Sequence, residues 1–207
     1  MFVNMDAITI LGTLLGIAFI SGIRLYSTIL AVGLGIRLGV LHVPEALAQL
    51  QVLAETPILV IAGVVYTVEF LADKIPWVDS AWDAIHTFVR PLGAAILGAV
   101  AIGPVDPTVK VGAFLLCGTV ALSSHSAKAG TRLVANHSPE PFSNVGLSLA
   151  EDGVVVGGAW LALAHPIVAL GLVLVLLALI AWSVPRILRL FRENLPRLVA
   201  FLRGAQP

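Results

Sequence analysis

Charged side chains are scarce in this sequence. Asp, Glu, Lys and Arg make up 12% of its 207 residues, where a soluble domain carries about 25%. That is too few to cover a water-facing surface. Cysteine occurs once, as Cys117 inside an apolar run, which excludes an intramolecular disulfide and a cysteine-based metal site. Neither sign of charge is in excess, with 12 Lys and Arg against 12 Asp and Glu, so no basic domain exists to hold nucleic acid. No Lys or Arg precedes Arg24. Without a basic leader the N-terminal stretch reads as a true first helix and not as a signal peptide. A Gly-rich phosphate loop, a His-Glu-x-x-His zinc motif, a Gly-x-Ser-x-Gly elbow and a Cys-x-x-Cys pair are all missing. No ATP-driven pump or familiar hydrolase is indicated.

What is present is apolar: 58% hydrophobic residues and a mean hydropathy of +1.00. The run from Pro166 to Trp182 holds no charge and approaches the length that crosses a hydrocarbon core of about 30 Å. Seven such segments predict an all-α polytopic transmembrane bundle: residues 7–23, 26–41, 57–72, 88–104, 109–127, 144–163 and 166–184. Some are short, so six or seven membrane segments are expected. Ser21, Gly22 and Arg24 interrupt the first two, which read as two crossings, one broken helix or a re-entrant pair. Residues 1–185 form one transmembrane domain and 186–207 a basic amphipathic tail. The tail, RILRLFRENLPRLVAFLR, suits the anionic inner leaflet as a surface helix broken near Pro196, or serves as a simple positive-inside anchor. The Lys and Arg bias places the protein in the inner (cytoplasmic) membrane with a cytoplasmic C-terminus. Lipid is the expected partner, and self-association into a homo-oligomer is open.

Three polar constellations stand out. ADKIPWVDSAWDAIHTFVRP (72–91) follows Glu69 and aligns Asp79, Asp83, His86 and Arg90 at helical spacings of four, three and four. It reads as an interfacial helix with Trp77 and Trp82 at the headgroups, or as an acidic stripe facing a polar cavity. Asp79 and Asp83 are a weak candidate pair for a divalent metal; no other cofactor is expected. SSHSAKAGTRLVANHSPEPFSN (123–144) places Lys128 and Arg132 on one helical face and adds Asn136, Glu140 and Asn144. It reads as a solvated loop or as an anion site. Glu151 and Asp152 lie inside an apolar segment, where each charge needs a partner. They point about 100° apart, and one is expected to pair with Arg24, Lys128 or Arg132. Glu69 and Arg37 are similar intramembrane candidates, and Glu69 and Asp73 join the candidate pathway. Gly22-Ile-Arg-Leu25 and Gly130-Thr-Arg-Leu133 echo each other as a possible internal repeat.

The segments ADKIPWVDSAWDAIHTFVRP and KAGTRLVANHSPEPFSN, with GIRLYSTILAVGLGIRLG (22–39) and the pair Glu151-Asp152, resemble the DUF4126 family of bacterial membrane proteins. The resemblance spans roughly residues 10 to 185 and implies a multi-pass membrane protein without naming an activity. Three functions follow from the residues. The first is a transporter or channel for an ion, a small anionic solute or a lipid headgroup, with Arg24, Glu69, Asp73, Arg90, Lys128, Arg132, Asn136, Glu140, Asn144, Glu151 and Asp152 along its path. The second is a metal-dependent enzyme acting on a lipid phosphate. The third is a non-catalytic scaffold packed through glycines.

Overall fold

The computed structural model describes the backbone of residues 5–135 and 141–202, with side chains at 7–75, 77–132 and 145–186. Seven α-helices follow in order: α1 Met5–Ile23, α2 Leu25–Arg37, α3 Thr56–Ala72, α4 Pro76–Ala101, α5 Pro107–Ala135, α6 Pro141–Ala164 and α7 Pro166–Leu202. A 3-10 segment, Glu45–Ala54, links α2 to α3. No strand occurs among the described residues. Proline opens α4, α5, α6 and α7 and sits second in α3. At these positions its missing N–H would be unpaired anyway and its fixed φ already suits the helix. Asp106 caps α5 by accepting the Thr108 N–H at 2.8 Å. That bond holds the exposed Asp106 carboxyl below its usual range. Gly39 and Gly103, both at positive φ, close α2 and α4.

The seven expected segments each fall on a helix, but several boundaries move. Four helical stretches are long and apolar enough to cross a membrane: Trp77–Ala101, Pro107–Arg132, Val145–Ala164 and Pro166–Arg186. A fifth is added if Glu45–Ala54 and Thr56–Ala72, bent by 64°, make one span. The expected six or seven is therefore only an approximate count. α4 begins at Pro76 and runs through Pro91 to Ala101. The stretch 76–90 is not a separate surface helix. Proline inside a helix removes only one hydrogen bond, and a membrane bundle tolerates that. α5 likewise continues to Ala135, so residues 123–132 are helix and not loop. In its backbone α7 continues past Pro185 and Pro196, without the expected break.

Antiparallel neighbours organise the bundle. Gly98 faces Cys117, Ala95 faces Gly118 and Arg90 meets His125, so α4 and α5 form a hairpin. Gly12 lies against the Pro166 backbone at the α6–α7 turn, while Arg24 reaches Glu151 lower on α6. From Arg24 the chain returns along α2, where Gly33 packs on Leu53 and Leu59. The 3-10 segment in turn meets the α4–α5 turn through Gln49 and Gly103. α1 and α2 thus make a V with Arg24 at its apex, and neither arm matches the long spans. The first pair therefore packs as a helical hairpin of two short apolar helices. One extended residue, Arg24 at φ −149° and ψ 99°, makes the reversal. Its carbonyl accepts from the Thr28 hydroxyl at 2.8 Å and its N–H donates to the Ile20 carbonyl at 2.9 Å, so the break leaves neither group unpaired.

The core is layered. At the end holding the α4–α5 and α6–α7 turns it is apolar, with Val32, Leu47, Leu50, Leu53, Ala101 and Leu163 buried. At the other end the buried residues are charged. Large apolar side chains such as Val60, Ile61 and Val64 on α3 and Val168, Leu172 and Val175 on α7 face outward, as lipid requires.

Candidate functional site

At the charged end α3, α4, α5 and α6 each bring ionisable residues on one stripe. α3 and its C-terminal cap present Tyr66, Glu69 and Asp73, spaced three and four. α4 presents Asp79, Asp83, His86 and Arg90; α5 presents His125, Lys128 and Arg132; α6 presents Ser148, Glu151 and Asp152. Three- and four-residue spacing points each set at one side of its helix. The bundle turns those sides together. Arg24, Glu69, Asp73, Asp79 and Arg90 have no measurable exposure.

Two groups of ion pairs result. In the first, the Arg24 Nε donates to Glu151 Oε2 at 3.0 Å, Nη1 to Asp152 Oδ1 at 3.1 Å and Nη2 to Ser148 Oγ at 2.8 Å. The Arg24 guanidinium also pairs with Asp73. Arg132 grips Glu151 with two bonds, Nε to Oε1 and Nη2 to Oε2, both 2.9 Å. It reaches Asp73 at 3.4 Å and Asp79 at 3.8 Å. Asp152 also accepts from Tyr66 Oη at 2.9 Å and Ser27 Oγ at 3.1 Å.

In the second group, Arg90 donates to Glu69 at 2.5 Å and to Asp83 at 2.9 Å. Its Nη1 also lies 2.8 Å from His125 Nδ1. A guanidinium can only donate, so Nδ1 accepts and the His125 proton sits on Nε2. That proton is donated to Thr87 Oγ1 at 3.1 Å, and Thr87 donates onward to the Asp83 carbonyl at 3.0 Å. Lys128 joins the two groups, with Nζ 3.4 Å from Glu151 and 3.6 Å from Asp83.

Burial of this kind stabilises nothing by itself. Desolvating each ion costs several kcal/mol, about what its partners return, so the network holds only while complete. A cleft of about 180 Å³ opens onto it between α4 and α5, lined by Asp79, Ser80, Asp83, Thr87 and Arg132. Just outside, Lys74 lies over the Phe70 ring at 3.6 Å. Partial burial and the nearby Arg24 and Arg132 push its pKa down.

The site residues expected from the sequence meet here: Arg24, Glu69, Asp73, Arg90, Lys128, Arg132, Glu151 and Asp152, with Asp79 and Asp83 beside them. Asn136 and Glu140 lie outside the described residues, as does the Asn144 side chain. Asp79 and Asp83 face arginine and lysine, which would repel a divalent ion. Among the described residues no group of three or more His, Cys, Asp or Glu is arranged to hold a metal. Arg37 is apart from the site, bonded to Thr56 at 2.9 Å. The acidic stripe on α4 faces inward, while Trp77 at its start is exposed. Glu151 and Asp152 do share a partner, contrary to their 100° divergence, because the Arg24 fork is wide enough to reach both. The arginines of the two Gly-x-Arg-Leu echoes both bond Glu151 Oε2.

Sequence reasoning missed Tyr66, Ser148 and Ser27. Tyr66 lies one turn before Glu69 and Ser148 one turn before Glu151, and that spacing was the available signal. Ser27 had none, because α2 joins the site only through the fold.

A family model described as a domain of unknown function, DUF4126, matches residues 11–186, which hold every ion pair described above. The chain belongs to the DUF4126 family. No curated protein and no solved structure matches it. A membership covering α1 to the start of the tail makes the V of α1 and α2 and the charged end of the bundle part of the DUF4126 region.

Proposed function

We propose that this protein is a membrane transporter or channel for a small cation, working through the buried ion network. The observation that carries this reading is the balance of charge. Six carboxylates (Glu69, Asp73, Asp79, Asp83, Glu151, Asp152) meet four cations (Arg24, Arg90, Lys128, Arg132) among the described side chains. The formal excess is two negative charges among these ion-paired groups and one with Lys74 beside them, which favours a cation or proton over an anionic solute or phosphate. Ionisable residues buried in a membrane bundle are costly, and their usual role is an ion path or proton relay. The cleft gives access from one side, and the apolar layer closes the other, as a transporter open on one side requires. A lipid-phosphate enzyme is less well supported, because it needs Asp79 and Asp83 free for metal and Lys128 and Arg132 free for phosphate. These four are engaged with oppositely charged neighbours.

The charged end faces the cytoplasm of the cell that carries the protein, in its inner membrane. Arg24, Lys74, Lys128 and Arg132 lie at that end, and α7 starts at the opposite end, so its basic tail emerges on the same side. There the tail meets anionic lipid.

Reconstituted protein in liposomes, given imposed gradients of H⁺, Na⁺ or K⁺, should carry at least one of them. Glu151→Gln and Asp152→Asn should lower that flux at least tenfold, while Glu45→Gln, on the exposed 3-10 segment, should not. Equal flux in wild type and both site variants would sink the proposal.

A further inference from the structure

The four cations of the network are not equivalent. Three are arginines, whose guanidinium does not lose its proton in proteins. Lys128 is the exception, since a lysine ammonium gives up its proton readily when buried. It is also the one placed between the two groups. The arginines hold their carboxylates by hydrogen bonds, most of them at 2.5–3.1 Å. Among the described residues Lys128 Nζ is buried without a hydrogen-bond partner. It stands 3.4 Å from Glu151 Oε2 and 3.6 Å from Asp83 Oδ1, near enough for a small side-chain movement to complete a bond to either. Asp83 borders the cleft, whereas Glu151 belongs to the other group, with Arg24 and Arg132.

Other charges around Lys128 bear on where its proton rests. Glu69 of α3 and Arg90 of α4 act on it with opposite sign, alongside Asp83 and Glu151. His125 and Arg132 flank it on α5, and Arg24 shares the Glu151 oxygen that faces it. Asp83 Oδ2 is buried with no hydrogen-bond partner among the described residues, so that oxygen is available to carry a proton.

We infer that the cation handled here is a proton, and that Lys128 passes it between Asp83 at the cleft and Glu151 in the group of Arg24 and Arg132. This rests on the transport reading above and names its substrate. The step balances without a co-reactant. A Lys128 Nζ–H bond breaks as an O–H bond forms on Glu151, leaving a neutral amine and a neutral carboxyl. The amine lone pair then takes the proton of an Asp83 carboxyl, itself protonated by a hydronium ion in the cleft that is left as water. The ammonium and the Asp83 carboxylate are restored, and one proton has moved from Asp83 to Glu151. Arginine at this position keeps the charge and cannot complete the step.

The test is proton flux into liposomes, followed by an internal pH dye under an imposed membrane potential, with Na⁺ and K⁺ uptake measured in parallel. Lys128→Arg is expected to lower proton flux at least tenfold. Its melting temperature shows whether it is folded; if it is not, Asp83→Asn, which keeps Lys128, decides by the same tenfold criterion. Wild-type proton flux in whichever variant is folded overturns the hand-off. Uptake of Na⁺ or K⁺ by wild type without proton flux overturns this inference and leaves the transport reading standing. No flux of any ion overturns both.

Discussion

Glu151 is the most heavily engaged acid of the network, and its amide variant tests whether the network is a unit. In Glu151→Gln the charge that faces Arg24, Arg132 and Lys128 is removed. The wild-type carboxylate accepts three guanidinium bonds of 2.9–3.0 Å. The amide keeps one oxygen able to accept; placed at Oε2 it retains the two bonds made there, and its NH₂ then faces the Arg132 Nε donor, so one of the three is lost and a donor is set against a donor. Hydrogen bonds to charged groups contribute about 1.5–3 kcal/mol each. Together with uncompensated positive charge this gives a loss of about 3–5 kcal/mol, the range for breaking one side of a buried ion pair. For a chain of this length that corresponds to a fall in Tm of roughly 6–20 °C. The assay is thermal unfolding of detergent-solubilised protein by circular dichroism. Arg132→Gln supplies the second arm of a double-mutant cycle, and the double variant should lose less than the sum of the single ones. A loss under about 1 kcal/mol for Glu151→Gln, or strict additivity with Arg132→Gln, would refute the view that these charges depend on one another.

Further expectations follow from other contacts. Tyr66→Phe removes the hydroxyl that donates to Asp152 at 2.9 Å and should cost about 1–2 kcal/mol; an unchanged Tm would show that this bond does not contribute. A methyl at Gly12 would overlap the Pro166 carbonyl and one at Gly22 the Ala121 carbonyl, whereas Gly157 has open space. Gly12→Ala and Gly22→Ala should therefore each destabilise by about 1–3 kcal/mol or more and Gly157→Ala should not, and equal melting temperatures for all three would contradict the packing. Lys74 binds protons less readily folded than unfolded, because its folded pKa is depressed. Between its folded pKa and the ordinary lysine value the unfolded chain holds more protons, so its contribution makes stability rise with pH across that window. Lys74→Gln should remove this alkaline rise, and an identical slope in the variant would count against it. Cys117, 2% exposed, should resist a thiol reagent until the protein is unfolded, and rapid labelling of folded protein would show that the α4–α5 interface opens.

The membrane class, the seven helical segments and the ionisable residues of the buried network were legible in the sequence, for physical reasons that act locally. A run without charge can only be buried in lipid or protein, and stripes at three and four residues declare a helix face before any partner is known. The costly charges Glu69, Glu151 and Asp152 announced themselves by sitting in apolar runs. Helix ends were less legible. α4 and α5 extend well beyond their apolar parts, because buried partners replace the water that polar residues in a helix would otherwise require. Residues 76–90 and 123–132 therefore read as surface helix and loop until their partners are known.

Which charge meets which was decided by tertiary structure alone. Arg24 lies 127 residues from Glu151 and Ser27 lies 125 from Asp152, and no local rule links them. The one-residue reversal at Arg24 turns two short apolar segments into a V, and the apex of that V carries a guanidinium into the interior. The α4–α5 hairpin then sets Lys128 opposite Asp83, while α6 brings Glu151 to its other side. The sequence by itself determined that these charges must be paired, since lipid offers no water to solvate them; the fold decided the pairs, because only the packing of helices distant in sequence sets the distances between them.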